Sequence, residues 1–266
     1  MRTAVLMTTL GEAGWDRSLP SLLAQTRPAD RIIVVIDRAS DGAEQAAMTA
    51  AWPGVTFLFN AANIGITASL NRALAAADGA DICFRADDDD VSAPTRFERQ
   101  IACFEATGAD LVAAWATGTI ETGATYAIRC PTEHDAIVAA LAERNVLVHP
   151  TLAFRRASIV ALGGYDETFR NAQDYALYLA AIRAGCRFAA AGEPLVTRHY
   201  HAGNISVKRR MNQLMYSCAA RCVHVAASGD RRAFLRTLRH YAALAMTPMW
   251  ARAARRRLFS LGGRGR

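Results

Sequence analysis

The sequence predicts an α/β fold: a doubly wound, mostly parallel sheet with helices on both faces, followed by a basic helical tail. Three observations predict it. Residues 1–90 alternate short β-branched runs with stretches of helical spacing. Those runs are apolar throughout rather than alternating, as in strands covered on both faces. Residues 208–266 hold apolar side chains at helical spacing among many arginines.

The elements follow in order. Residues 4–9 form a first strand. Residues 18–26 form a helix, with Leu19, Leu22 and Leu23 at helical spacing and Ser18 as its N-cap. Residues 31–36, Arg-Ile-Ile-Val-Val-Ile, are a second strand. Residues 41–51 read as a helix ended by Pro53-Gly54, and 55–59 as a third strand. Residues 66–77 place Ile66, Leu70, Ala73, Leu74 and Ala77 on one helix face. Residues 82–85 are a fourth strand that runs into Asp87-Asp88-Asp89-Asp90. Pro94 suits the first turn of a helix reaching Thr107. Residues 110–115 and 148–154 read as strands, and 174–184 as a helix stopped by Gly185. The expected organisation is two halves of one domain, 1–92 and 93–207, and 208–266 as a basic amphipathic helical tail.

Composition narrows the function classes. The chain has 266 residues, 52% apolar and 21% charged, which excludes a disordered or fibrous protein. No stretch approaches the ~20 apolar residues of a membrane helix. The first residues lack a signal-peptide core, so the expected location is cytoplasmic. The six cysteines read as reduced, buried thiols. Cys218, Cys222 and His224 lack a fourth ligand in reach, so no zinc site is expected. Charge is segregated. Residues 208–266 carry fourteen Lys/Arg and one acid, Asp230, a net of +13, which leaves −6 for residues 1–207. Such a tail is attracted to an anionic surface, so a peripheral position at the inner membrane face is a further expectation. The opposing reading is a helix packed on the body. No nucleic-acid-binding motif accompanies the tail, and no nucleic-acid partner is expected.

The acidic run is the sharpest feature. Four adjacent carboxylates repel one another and do not belong inside a helix or strand. Directly after a buried parallel strand they lie at the carboxyl edge of the sheet, where open α/β sheets bind ligands. Hard oxygen ligands on a short loop suit Mg²⁺ or Mn²⁺ beside a diphosphate.

Around that run the chain resembles the family 2 glycosyltransferases of the GT-A fold. Val5-Leu6-Met7-Thr8-Thr9 is similar to the family's first strand. Leu22-Leu23-Ala24-Gln25-Thr26-Arg27-Pro28 is similar to L-x-S-Q-T-x-x-P, and Val34-Val35-Ile36-Asp37-Arg38-Ala39-Ser40-Asp41 to V-V-D-D-G-S-T-D. Asn63-Ile64-Gly65 with Leu70-Asn71-Arg72-Ala73-Leu74 resembles N-x-G…L-N-x-A-L. Arg85 to Val91, then Pro94-Thr95-Arg96, matches R-x-D-x-D-D-x-x-x-P-x-R. Asn145, His149-Pro150-Thr151, Phe154-Arg155-Arg156, Gly163-Gly164-Tyr165-Asp166 and Gln173-Asp174-Tyr175-Ala176-Leu177 resemble the family's second half. The likeness runs over about residues 3–206.

The resemblance implies a GT-A sheet, mixed but mostly parallel, with 1–92 as its nucleotide-sugar-binding half and 93–207 as its acceptor-binding half, and an inverting transfer from a nucleoside-diphosphate sugar to a glycan or lipid-linked acceptor. It implies Thr8 and Asp37 in the nucleoside pocket, with Asp37 accepting from a base N–H. Asn71, Arg85, Asp87 and Asp88 complete the donor-binding set. Asp89 is the implied main ligand of Mg²⁺ or Mn²⁺, joined by His201 of the late H-x-x-x-x-S motif. Asp174 is the implied catalytic base, with a helix N-cap as its structural alternative. His149 and Tyr165 are implied on the acceptor side, Tyr165 on a turn at Gly163-Gly164 near the donor sugar. A satisfied buried histidine and a purely structural turn are the alternatives there. The chain departs from the pattern at Ile36, in place of the first acid of an Asp pair, and at Leu10-Gly11, in place of Tyr-Asn. It departs again at Gln173, in place of an acid, at Ala180, in place of an arginine, and at His199, also in place of an arginine. The expected biological setting is surface-polysaccharide or glycolipid synthesis. Two other readings stand beside it, a sugar-1-phosphate nucleotidyltransferase and a non-enzymatic membrane-binding module. Leu10–Trp15 has no basic residue, which disfavours the nucleotidyltransferase.

Overall fold

The computed structural model describes residues 1–11, 15–200, 210–227, 229 and 231–246. Strands β1 (Thr3–Thr9), β2 (Arg31–Ile36), β3 (Val55–Phe59) and β4 (Ile82–Ala86) pair in parallel in the order β3-β2-β1-β4. Between them run helices α1 (Trp15–Leu23), α2 (Gly42–Ala51) and α3 (Ile66–Ala76). Every residue of β1 and β4 is buried, as the continuous apolar runs require.

The sheet continues without a break into the second half. Its strands are β5 (Val91–Ser92), β6 (Leu111–Ile120), β7 (Thr125–Ile128), β8 (Ala153–Arg155) and β9 (Phe188–Tyr200). The order extends as β4-β8-β6-β9-β5, with β7 on the outside of β6. Strand β8 is antiparallel to both β4 and β6, β6 and β9 run parallel, and β5 and β7 are antiparallel to their partners. The helices of this half are α4 (Arg96–Thr107), α5 (His134–Glu143), α6 (Arg156–Ala161) and α7 (Gln173–Arg183). One apolar cluster joins α3, α5 and α7 to one face of the sheet through Leu70, Leu141 and Leu179. A second joins α1 and α4 to the other through Leu19, Phe97 and Phe104. The result is the expected mixed sheet with helices on both faces.

Two helices of the tail are described, α8 (Arg210–Ala227) and α9 (Arg231–Met246). Helix α8 lies against the body. Ala220 is buried, and Arg221 donates from Nη1 to the Glu143 carbonyl oxygen at 2.9 Å. Helix α9 turns Thr237 and Tyr241 inward and leaves Leu235, Leu238 and Met246 exposed. The packing reading thus describes the inward face of this pair of helices, and the outward face is exposed. Among the described residues, no helix is long and apolar enough to cross a membrane.

Four local expectations are corrected. Ser18 is not an N-cap. Helix α1 begins at Trp15, and the Ser18 hydroxyl donates instead to the Asp87 carbonyl oxygen at 2.7 Å. Residues 148–154 are not one strand. Pro150 has no N–H for a ladder, and His149–Thr151 form a single 3₁₀ turn before the short β8. Strand β6 runs past 115 to Ile120, with an irregularity where Trp115 faces Pro194 of β9. Asp174 is not the N-cap of α7, because that position is Ala172, in the left-handed region at φ 53°.

Candidate active site

The parallel strands all deliver their carboxyl ends to one edge. Thr8 sits there near the end of β1, and Asp37 and Asp87 directly follow β2 and β4. Strand β1 connects to β2 on one side and pairs with β4 on the other, which opens the crevice where such sheets bind ligands.

The loop from Asp87 to Asp90 is held from three directions. Ser18 grips the Asp87 carbonyl. The Arg85 guanidinium pairs with the Asp87 carboxylate and with the Ala86 carbonyl. Arg96, 1% exposed, donates from Nη2 to the Arg85 carbonyl oxygen at 2.7 Å and from Nη1 to Ser92 at 3.0 Å. Carboxylate oxygens of Asp87, Asp89 and Asp90 lie within 4.8 Å of one another. Burial alone would raise the Asp87 carboxyl, but Arg85 and Arg198 hold it below the ordinary range. Burial, then the negative charge of Asp87, pushes Asp90 up to about 8. Burial raises Asp88 as well, and its carboxylate turns aside to accept from Thr9. Three converging hard oxygen donors with excess negative charge fit a divalent cation such as Mg²⁺ or Mn²⁺. Asp90 was not singled out in the sequence; the structure adds it to Asp87 and Asp89.

Arg198 was not foreseen either. It lies on β9, and its Nε meets Asp90 Oδ2 at 3.3 Å. Its charge is felt by Asp87, Asp89 and Asp90 on one side and by Asp174 on the other. The guanidinium is thus in contact with the acidic loop, and its charge also lowers the carboxyl of Asp174 in the first turn of α7.

Asp174 is the second residue of α7 and partly exposed. Asn145 donates from Nδ2 to its Oδ2 at 2.8 Å. Burial raises its carboxyl above the ordinary range, against that hydrogen bond and those from the backbone N–H groups at the helix start.

Several of the implied donor- and acceptor-side residues have hydrogen-bond partners within the fold. Asp37, 5% exposed, accepts from Asn60 Nδ2 at 2.7 Å, Ile64 N at 2.8 Å and Gly65 N at 2.9 Å. A carboxylate has about four acceptor sites, so one remains for a base N–H. Asn71 is engaged within the fold. Its amide brackets the Tyr165 backbone, donating to the carbonyl oxygen and accepting from the N–H, both at 2.8 Å. Tyr165 is 1% exposed, and its hydroxyl lies 3.0 Å from His149 Nε2. Burial, then Arg85, pushes His149 down to about 3, so the ring is neutral. Both side chains are buried, and the charges of Arg85, Asp87 and Arg198 act on the His149 ring. Thr8 is buried at the end of β1. Arg85 is buried too, turned to the Asp87 side, and its Nε has no hydrogen-bond partner among the described residues. His201 lies outside the described residues.

Comparisons with known proteins bear on the family and the fold. The family model described as glycosyl transferase family 2 matches residues 5–161. A Haemophilus influenzae protein named as an uncharacterized glycosyltransferase is 27% identical over 198 residues, 73% of each chain. An Escherichia coli UDP-Gal:alpha-D-GlcNAc-diphosphoundecaprenol beta-1,3-galactosyltransferase is 29% identical over 126 residues. That alignment spans less than half of either protein, 47% of this chain and 45% of the relative. In fold, the chain is similar to S. aureus TarS 1-349 solved in complex with UDP-GlcNAc. The TM-score is 0.71 at 16% identity, over 91% of this chain and 73% of the other. The UDP complex of the same protein gives 0.66 at 16% identity, over 91% and 72%.

Proposed function

The chain belongs to glycosyl transferase family 2 and is a glycosyltransferase; from that premise we propose that it moves a sugar from a UDP-sugar to a hydroxyl of a glycan or lipid-linked acceptor, with inversion and with Mg²⁺ or Mn²⁺. The observation that carries the reading is the convergence of Asp87, Asp89 and Asp90 at the carboxyl edge of the sheet, with the Arg198 charge acting on that cluster and on Asp174. UDP as the donor nucleotide is supported by the donor in the E. coli relative's name and by the TarS complexes.

The chemistry divides between the two carboxylate groups. A divalent cation held by Asp87, Asp89 and Asp90 would neutralise charge that develops on the leaving diphosphate. Arg198 adds a fixed positive charge at the same edge. Asp174 takes the proton of the acceptor hydroxyl as its oxygen bonds to the anomeric carbon. The bond from that carbon to the diphosphate oxygen breaks, and its electron pair leaves with UDP. A single carboxylate on the acceptor side suits one in-line displacement, which inverts the anomeric centre. Asn145 orients that carboxylate, and Asp37 fixes the Ile64-Gly65 backbone beside the nucleoside side of the crevice.

The tail supports a peripheral place at an anionic membrane. Helices α8 and α9 contain no acid. The exposed face of α9 sets Leu235, Leu238 and Met246 among exposed Arg231, Arg232, Arg236 and Arg239. A polyprenol-linked acceptor, as in the E. coli relative's name, is membrane-borne and would be met there. Surface-polysaccharide or glycolipid synthesis is the setting that fits such an acceptor.

The donor reading is tested by melting the chain with a panel of UDP-sugars, with and without Mn²⁺, and assaying UDP release. A ligand that binds the native state raises the melting temperature by mass action. One UDP-sugar that stabilises only with the metal, and that releases UDP, is the expected result. No stabilisation by any UDP-sugar would overturn the reading.

A further inference from the structure

We propose that Tyr126 and Tyr200 form an aromatic platform that binds the acceptor's pyranose ring beside the catalytic edge. This deepens the acceptor side of the glycosyltransferase reading and rests on it.

The register of three strands builds the platform. Tyr126 of β7 is opposite Gly118 of β6, and Gly118 is opposite Arg198 of β9. Residues opposite one another in neighbouring strands point to the same face, as do residues two apart in one strand. Tyr126, Arg198 and Tyr200 therefore share one face of the sheet. Gly118 leaves the position between them empty. A Cβ there would lie 2.5 Å from Tyr126 Cζ, so the tyrosine ring lies flat over the glycine backbone. The ring thereby crosses β6 and reaches Tyr200, with centroids 5.9 Å apart and planes at 32°.

The platform is tied directly to the reaction centre. Arg198 donates from Nη1 to the Tyr200 hydroxyl at 3.0 Å, and its Cζ is 5.0 Å from the Tyr200 ring centroid. The same guanidinium contacts Asp90 through Nε. One arginine therefore separates the acidic loop from an aromatic surface on which Tyr126 is 47% exposed.

A pyranose ring is the ligand this surface fits. An aromatic face is electron-rich, and it attracts the weakly positive C–H edge presented by one side of a sugar ring. The sugar's hydroxyls stay at the rim, where water, the Tyr200 hydroxyl and the Arg198 guanidinium can meet them. A ring lying there is within reach of both Arg198 and the centre it serves. If Tyr126 only ties the hairpin to β9, sugars will not touch it.

The test uses the full chain with ¹³C-labelled tyrosine, whose seven residues give few resonances. The probes are methyl pyranosides of glucose, galactose and N-acetylglucosamine. The resonance missing from Tyr126→Phe identifies Tyr126 in the wild type. The expected result is a saturable shift of that resonance with at least one probe, and an affinity at least tenfold weaker in Tyr126→Leu. Leucine keeps an apolar cover over Gly118 but has no aromatic face. No shift of the Tyr126 resonance with any probe, or equal affinity in Tyr126→Leu, would overturn the platform. The wild-type shift needs no variant beyond the assignment, so it decides the matter even if the leucine variant does not fold. UDP-sugar stabilisation of the same preparation tests the donor reading separately. Its loss with the pyranoside shift intact would sink that reading and leave the platform standing.

Discussion

Asn145, in the segment between α5 and the 3₁₀ turn, donates a 2.8 Å hydrogen bond to the carboxylate of Asp174 in the first turn of α7. That contact favours the charged carboxylate, while burial favours the neutral acid and prevails. A base must be ionised to accept a proton. The rate should therefore fall, as pH decreases, through an apparent pKa above that of a free aspartate. Asn145→Ala removes a hydrogen bond to the charged form, so the acid limb of the kcat profile should move to still higher pH. Profiles of both proteins check this, and an unmoved limb would detach Asn145 from the base.

Asp89→Ala should abolish divalent-dependent donor binding and leave the melting temperature of the free protein unchanged or higher. Three carboxylates converge within 4.8 Å, and removing one relieves their mutual repulsion. Titration of the UDP-sugar with and without Mn²⁺ is the measurement. Metal-dependent affinity equal to wild type would take Asp89 out of the cation site.

Gly164→Ala should destabilise the fold by about 2–3 kcal/mol, from left-handed strain and a disrupted buried clamp. Gly164 has φ 81°, and a Cβ there would meet Asn71 Oδ1 at 2.6 Å, the atom that accepts from Tyr165 N. By contrast, Ala172→Gly should stabilise by roughly 0.5–1 kcal/mol, because Ala172 holds φ 53° without being glycine. Denaturant unfolding of both variants reads the opposite signs.

Replacing Arg231, Arg232, Arg236 and Arg239 together by glutamate should abolish flotation with anionic vesicles at low salt. Each basic residue near such a surface contributes roughly 1 kcal/mol, screened by salt. Wild-type flotation should weaken as salt rises. Flotation indifferent to both salt and substitution would leave α9 as a packing helix alone.

The parallel half of the fold was legible because its strands are buried on both faces and read as continuous apolar runs. The acidic loop was legible for the opposite reason, since no helix or strand interior accommodates four adjacent aspartates. What escaped depends on distant partners. The Ser18 hydroxyl looked like a local cap, yet it is committed to the Asp87 carbonyl oxygen across the sheet edge. The Asn71 amide closes on the Tyr165 backbone, a partner far along the chain that no local pattern names. The apolar stretch through Leu152 suggested a strand, but Pro150 closes a 3₁₀ turn that buries His149 against Tyr165. Arg198, Gly118 and Tyr126 have no common local pattern, and only the register of β7, β6 and β9 brings them into one row.

Asp174→Asn tests the account most directly. Asparagine keeps the size of the side chain and an oxygen facing Asn145, but it cannot take the acceptor's proton. Donor affinity, melting temperature and transfer rate are measured on one preparation. The account predicts affinity and melting temperature close to wild type, with transfer at least ~100-fold slower, the low end of a positioned base's contribution. A transfer rate within a few-fold of wild type would contradict it.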